Sequence, residues 1–101
     1  MIQVRCLLGD RSAVFSEGLT SVLRRGGDMS VVARTAEPDD VAGLVARHCP
    51  DVVIASFEPP AAALAVARAV PDVPVMVLTW SRREDDLLDA LRAGATGFVH
   101  K

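Results

Sequence analysis

A short apolar run, Val52-Val53-Ile54-Ala55, constrains the fold of this chain more than any other stretch. The turn pair Pro50-Asp51 precedes the run, and Ser56 follows it. Continuous, partly β-branched apolar runs are typical of strands that are covered on both faces, as in a parallel sheet. In open α/β sheets the chemistry lies at the carboxyl edge of the strands. Because Ser56 lies at that edge, we expect the function to depend on what this residue can do.

Four other apolar stretches of strand character alternate with helical patterns along the chain. The predicted strands cover residues 4–8, 29–33, 52–56, 75–78 and 96–100. The predicted helices begin near Ser12, Pro38, Ala61 and Ser81. In the last helix, the spacing of the leucines predicts an inward stripe of Leu87, Leu88 and Leu91. Five strands that alternate with four helices indicate an α/β fold with a parallel sheet.

Length, charge and hydropathy limit the classes of function. A chain of 101 residues is expected to form one domain, and its net charge of −2 provides no basic footprint for nucleic acid. No apolar run approaches a membrane span, and the N-terminus lacks the layout of a signal peptide. Cys6 and Cys49 have no metal-type spacing, so we expect reduced, buried thiols in a cytoplasmic protein. We expect no membrane partner.

Several segments match a known pattern. They are Glu17-Gly18-Leu19 after Asp10, Pro50-Asp51-Val52-Val53-Ile54, Val75-Met76-Val77-Leu78-Thr79 and Ala93-Gly94-Ala95-Thr96-Gly97-Phe98-Val99-His100-Lys101. Together they resemble the receiver domain of bacterial response regulators, most closely the NarL/FixJ group with a C-terminal LuxR-type helix-turn-helix. The resemblance implies a flavodoxin-like three-layer sandwich with a five-stranded parallel sheet of order 2-1-3-4-5. Since such receivers usually have a fifth helix after the lysine, we expect 1–101 to be a truncated receiver-like domain without that helix or the output domain.

The resemblance also assigns roles to individual positions. In the family, a histidine kinase donates a phosphoryl group to an acid that ends the third strand, beside a Mg²⁺ held by acids after the first strand. Asp10 corresponds to the first acid. Arg11 stands at the position of the second acid, and Ser56 at that of the phosphoacceptor. Glu58 corresponds to the residue whose backbone carbonyl completes the metal site. Thr79 and Lys101 correspond to the hydroxyl residue and the lysine that bind the phosphoryl group. Phe98 corresponds to the aromatic switch residue. Trp80 lies where the family usually has a small residue that leaves the site open.

Two of these substitutions remove the ordinary chemistry. The hydroxyl of Ser56 is neutral and has no adjacent base, so it cannot replace a carboxylate as acceptor. Arg11 places a fixed positive charge where a dication would bind. We therefore predict a degenerate phosphorylation pocket with no catalytic residue, no resident metal and no cofactor. We hypothesise that Arg11 and Lys101 pair with Asp10 in place of the metal, and that Trp80 closes the pocket; the sequence leaves open whether Trp80 packs there or stacks on a ligand.

The sequence thus predicts a non-enzymatic receiver domain of a bacterial transcriptional regulator. It is expected to act in signal input and dimerisation without aspartyl phosphorylation, as a homodimer that meets DNA only through an output domain. In the alternative, the vacated pocket of Asp10, Arg11, Trp80 and Lys101 binds a small anionic or aromatic metabolite. An ordinary phosphorylated receiver would need an acid at Ser56. An enzyme of this fold would need a phosphate-binding glycine loop or an activated nucleophile, and neither is found.

Overall fold

A computed structural model describes residues 3–101 as alternating strands and helices. The strands are β1 (Val4–Asp10), β2 (Met29–Thr35), β3 (Val52–Ser56), β4 (Val75–Thr79) and β5 (Gly97–His100). The helices are α1 (Ala13–Arg25), α2 (Val41–His48), α3 (Pro60–Ala69) and α4 (Glu84–Arg92). All neighbouring strands are parallel, in the order β2-β1-β3-β4-β5. The predicted flavodoxin-like fold and strand order are therefore confirmed.

β3 lies at the centre of the sheet and is covered on both faces, as its apolar run predicts. Val53 and Ala55 point to the side that is packed by α2, α3 and α4. Ile54 points to the other side, where Leu19 and Leu23 of α1 cover the sheet. This burial on both faces makes β3 the rigid element that carries Ser56 to the edge of the sheet.

The sheet face beside β5 is open on the side of α1. Leu78 and Val99 are register neighbours on β4 and β5, and Val99 is 46% exposed. Met76 on the same face is also exposed. An apolar strip beside the fifth strand is therefore exposed to solvent. Within residues 3–101, the structure shows no helix with the length and apolar character that crossing a bilayer demands.

The predicted inward stripe of the last helix is wrong. All three of its leucines are exposed, namely Leu87, Leu88 and Leu91. Ala90 is the buried residue of α4, which begins at Glu84 rather than directly after Ser81. Because α4 lies at the β5 end of the sheet, only a narrow strip around Ala90 meets the core. The leucines on either side of that strip face solvent.

Phe57, the residue after Ser56, sets how closely β1 can pack against the segment that follows β3. Its side chain is fully buried in the main core. A Cβ atom added at Gly9 would lie 2.5 Å from Phe57 Cζ, which is far inside van der Waals contact. Only glycine therefore fits at position 9 beside this ring, and the contact sets where Asp10 leaves β1.

The two thiols differ in environment, and this difference is testable. Cys6 is fully buried, as predicted. The prediction of a buried thiol is wrong for Cys49, which is exposed because it lies just after the end of α2. Burial, with a smaller contribution from the carboxylate of Asp51, raises the pKa of the Cys6 thiol. The thiol's contribution to stability is therefore complete below its pKa in the unfolded chain, and is lost as pH rises through the higher folded value.

We expect iodoacetamide at mildly alkaline pH to alkylate native Cys49 at least about a hundredfold faster than Cys6, because reaction at Cys6 requires local opening. Peptide mass spectrometry after timed quenching measures both rates. Denaturant should make the two rates similar. Equal rates in the native protein would contradict the buried placement of Cys6.

Candidate functional site

The carboxyl ends of the strands bring the sequence-predicted site residues to one edge of the sheet. Asp10 and Ser56 are direct register partners at the ends of β1 and β3. Thr79 ends β4, and its carbonyl oxygen accepts a hydrogen bond from the Lys101 backbone nitrogen at 2.7 Å. Parallel strands end at the same edge, so residues far apart in sequence become neighbours there.

Asp10 and Ser56 each present a buried polar atom without a partner. Asp10 Oδ1 accepts a hydrogen bond from the backbone nitrogen of Ser12 at 2.6 Å, but Oδ2 has no hydrogen-bond partner. Ser56 is 1% exposed, and its Oγ is also unpartnered. An unmet buried polar group costs about 1–3 kcal/mol. Because Ser56 Oγ has no hydrogen-bond partner, no side chain is placed to take its proton, as activation of a nucleophile would require.

The hypothesised pairing of Asp10 with Arg11 and Lys101 is wrong. Arg11 is exposed, because it directly follows the last residue of β1 and its side chain leaves the sheet edge. Among residues 3–101, no ion pair involves Asp10. Lys101 instead lies with its Nζ 3.5 Å from Glu58 Oε1. The nearest counter-charge for the lysine thus comes from the segment after β3, not from β1.

Glu58 is the centre of the polar contacts at this edge. Its Oε1 accepts a hydrogen bond from the Trp80 backbone nitrogen at 2.7 Å, and its Oε2 accepts one from Thr79 Oγ1 at 3.0 Å. Thr79 Oγ1 in turn accepts from the Ser81 backbone nitrogen at 3.1 Å. One carboxylate therefore joins the segment after β3 to the ends of β4 and β5. The resemblance assigned only a backbone role to position 58, so sequence reasoning missed this side chain.

Lys101 is held in an enclosed position. Its side chain is 6% exposed, although it follows the last strand. The Nζ atom lies 4.9 Å from the centre of the Phe15 ring, within the range of a cation–π contact. The sequence analysis assigned no role at the site to Phe15. The ring and Glu58 together provide the environment that replaces water around this charge.

Trp80 does not close the pocket. The residue is 63% exposed, and its ring meets His100 edge to face at a centroid distance of 6.3 Å. Its ring centre lies 5.9 Å from Lys101 Nζ, on the solvent side. Phe98 is partly buried and packs against the main core, and its ring has no place in the polar cluster. The prediction of a closed pocket is therefore wrong, while Trp80 contributes its backbone N–H to the site.

A cavity of about 210 Å³ lies beside Asp10, between α1 and β2. Its lining comprises Asp10, Arg11, Ala13, Ser16, Glu17, Arg34, Thr35 and Ala36. Trp80 and Lys101 are not part of this lining. The single pocket predicted from sequence is therefore not formed. Asp10 and Arg11 line this cavity, whereas Lys101 lies elsewhere at the edge, beside Glu58.

The fold and this edge define the chain as a receiver domain. It superposes on the signal receiver domain of the response regulator NarL from Mycobacterium tuberculosis with a TM-score of 0.92. The two are 27% identical, and the match covers 99% of this chain and 85% of the other. No protein-family model matches the sequence.

The relatives narrow the class further. The transcriptional regulatory protein NarL of M. tuberculosis is 30% identical over 98% of this chain and 48% of its own length. The oxygen regulatory protein NreC of Staphylococcus epidermidis is 29% identical over 97% of this chain and 48% of its own length. A protein-glutamate methylesterase of Rhodopseudomonas palustris is 30% identical, but the chain covers only 29% of it. The chain belongs with the receiver domains of response regulators such as NarL, and it spans about half the length of NarL and NreC.

The residues at this edge do not fit the Mg²⁺ ion that receiver domains hold. Asp10 Oδ2 is a free acid oxygen, but its neighbour Ser56 supplies only a neutral hydroxyl. Both carboxylate oxygens of Glu58 already accept hydrogen bonds. Across residues 3–101, no three His, Cys, Asp or Glu side chains are grouped as metal ligands. A hard dication needs several oxygen ligands of this kind, and one carboxylate beside an arginine falls short of that.

Proposed function

We propose that this domain is the phosphorylation-independent receiver of a two-component-type transcriptional regulator, with a role in signal input and dimerisation and no enzymatic activity. The observation that carries the proposal is Ser56, which stands at the end of β3 with a neutral, buried and unpartnered hydroxyl. Transfer of a phosphoryl group needs an anionic acceptor or a base that activates a hydroxyl. The chain offers neither at this position.

The surroundings of Ser56 also lack the set of carboxylates that would hold the positive ion used in phosphoryl transfer. Metal ions neutralise the charge that develops on the phosphoryl oxygens, and they bind through several carboxylates. Here Asp10 is the single carboxylate beside Ser56 in the register of the sheet, and Arg11 extends into solvent. The site therefore offers neither the acceptor nor the metal ligands that the reaction needs.

We expect acetyl phosphate with Mg²⁺ to leave the intact mass of this protein unchanged. A phosphorylatable receiver treated in parallel should gain one phosphoryl group and serves as the positive control. A Ser56→Ala variant is the matched control for reaction at this hydroxyl. A phosphoryl adduct on the wild type that is lost in Ser56→Ala would overturn the proposal.

The rest of the regulator enters the proposal through the relatives. NarL and NreC are about twice as long as this chain, and NarL is named a transcriptional regulatory protein. We place this domain in a longer cytoplasmic regulator that meets DNA through an output domain outside residues 1–101. The exposed leucines of α4, among them Leu88 and Leu91, support a role in self-association.

A second candidate function is a ligand sensor. The supporting observation is the unpartnered Asp10 Oδ2, on a residue that lines the cavity of about 210 Å³. That volume is below the range of about 300–1,000 Å³ that is usual for small-molecule pockets, so it suits a small polar molecule. A library of polar metabolites should then contain one that raises the melting temperature of the wild type, and Asp10→Asn should abolish the rise.

A further inference from the structure

We propose that Glu58 is a built-in ligand of an anion-binding site formed by Thr79 Oγ1, the Trp80 backbone N–H and Lys101 Nζ. The side chain supplies internally the negative group that these three donors are arranged to bind. The inference rests on the proposed function, because a tethered anion is compatible with a receiver that accepts no phosphoryl group. It adds a residue role that neither the resemblance nor the relatives assign.

The geometry of the contacts carries this proposal. Three donors of different kinds converge on one carboxylate, at 2.7 Å from Trp80 N, 3.0 Å from Thr79 Oγ1 and 3.5 Å from Lys101 Nζ. A hydroxyl, a backbone amide and an ammonium around a single pair of oxygens form an oxyanion site. The donors belong to the ends of β4 and β5, whereas the acceptor comes from the segment after β3.

The lysine explains why the site needs an occupant. Lys101 is 6% exposed, and Glu58 is its ion-pair partner among residues 3–101. The Phe15 ring on its other side interacts with the charge but cannot neutralise it. A nearly buried ammonium without a counter-charge is strongly disfavoured. Removal of the Glu58 carboxylate should therefore recruit an anion from solution.

The carboxylate also holds the loop between β4 and α4. Thr79 Oγ1 donates to Glu58 while it accepts from the Ser81 backbone nitrogen. Trp80 N, between them in sequence, donates to the same carboxylate. Glu58 thus holds Thr79 and Trp80 directly, and Ser81 through the hydroxyl of Thr79. In this arrangement the loop conformation is set by Glu58 and does not wait for an external anion.

The test is a titration with inorganic phosphate at constant ionic strength, followed through the amide signals of Trp80 and Lys101. The wild type should show no saturable shift at millimolar phosphate. Glu58→Ala should show saturable shifts at both amides, with affinity at least about tenfold above the wild type. The matched control is Glu37→Ala, which removes an exposed glutamate from the loop before α2 and should behave like the wild type.

A second pair of variants distinguishes an anion site from a general effect of charge. Lys101→Met introduced into Glu58→Ala should abolish phosphate binding, since it removes the ammonium donor. Glu58→Gln, which keeps the size of the side chain, should also bind phosphate, though more weakly than Glu58→Ala. Equal shifts in wild type and Glu58→Ala, or none in folded Glu58 variants, would overturn the proposal.

These readouts are separate from the mass assay at Ser56, so loss of the internal ligand and loss of phosphorylation independence are distinguishable.

Discussion

Phe57→Ala should lower the free energy of unfolding by about 3–5 kcal/mol, the usual cost of truncating a buried phenylalanine. The ring is fully buried and packs in the core beneath the sheet edge. Its removal leaves a cavity between β1 and the segment after β3, and the backbone on both sides is held by the sheet. Because small domains have a total stability of about 5–15 kcal/mol, this one change removes a large share of it.

Urea denaturation followed by far-ultraviolet circular dichroism measures the effect. The matched control is Val22→Ala, which truncates a side chain of α1 that is exposed. That control should change the stability by no more than about 0.5 kcal/mol. A loss below about 1 kcal/mol in Phe57→Ala would contradict the buried placement of the ring.

A second variant locates the effect at the contact with β1. Gly9→Ala places a Cβ atom 2.5 Å from Phe57 Cζ, so it should cost about 1–3 kcal/mol through overpacking. Gly9→Ala combined with Phe57→Leu should be less destabilising than the sum of the two single changes, since the smaller side chain makes room. Additive losses would show that the two positions are independent.

Leu91→Glu should weaken self-association by about 30-fold or more, the effect of losing an interface anchor worth about 2 kcal/mol. Leu91 is 53% exposed on α4, and Leu88 beside it is also exposed. Their side chains face away from the core, whereas Ala90 makes the contact with it. Apolar side chains that a domain leaves exposed together are typical of interaction surfaces.

Sedimentation equilibrium over a range of concentrations measures this effect. The wild type should show a reversible monomer–dimer equilibrium, and Leu91→Glu should be monomeric over the same range. Val22→Glu adds the same charge to an exposed valine of α1, and should leave the equilibrium unchanged. A monomeric wild type would contradict dimerisation through α4, as would loss of the dimer in Val22→Glu alone.

Two features of the candidate site could be predicted from the sequence. The apolar run before Ser56 and the strand that ends at Thr79 place both residues at the carboxyl edge of the sheet, because parallel strands end together. The chemistry that Ser56 lacks is a property of its residue type. The partner of Lys101 could not be predicted, because Asp10 and Glu58 both lie where a strand ends at that edge.

The sequence by itself determined the elements, their alternation and hence the parallel sheet, because hydrophobic periodicity and turn residues are local properties. It also determined which chemical groups are present where the strands end. Only the tertiary structure decided how these groups pair: that Glu58 rather than Asp10 meets Lys101, and that Arg11 and the leucines of α4 face solvent. These outcomes depend on distances of a few ångströms between segments remote in sequence, and such distances are set by packing of the whole sheet and its helices.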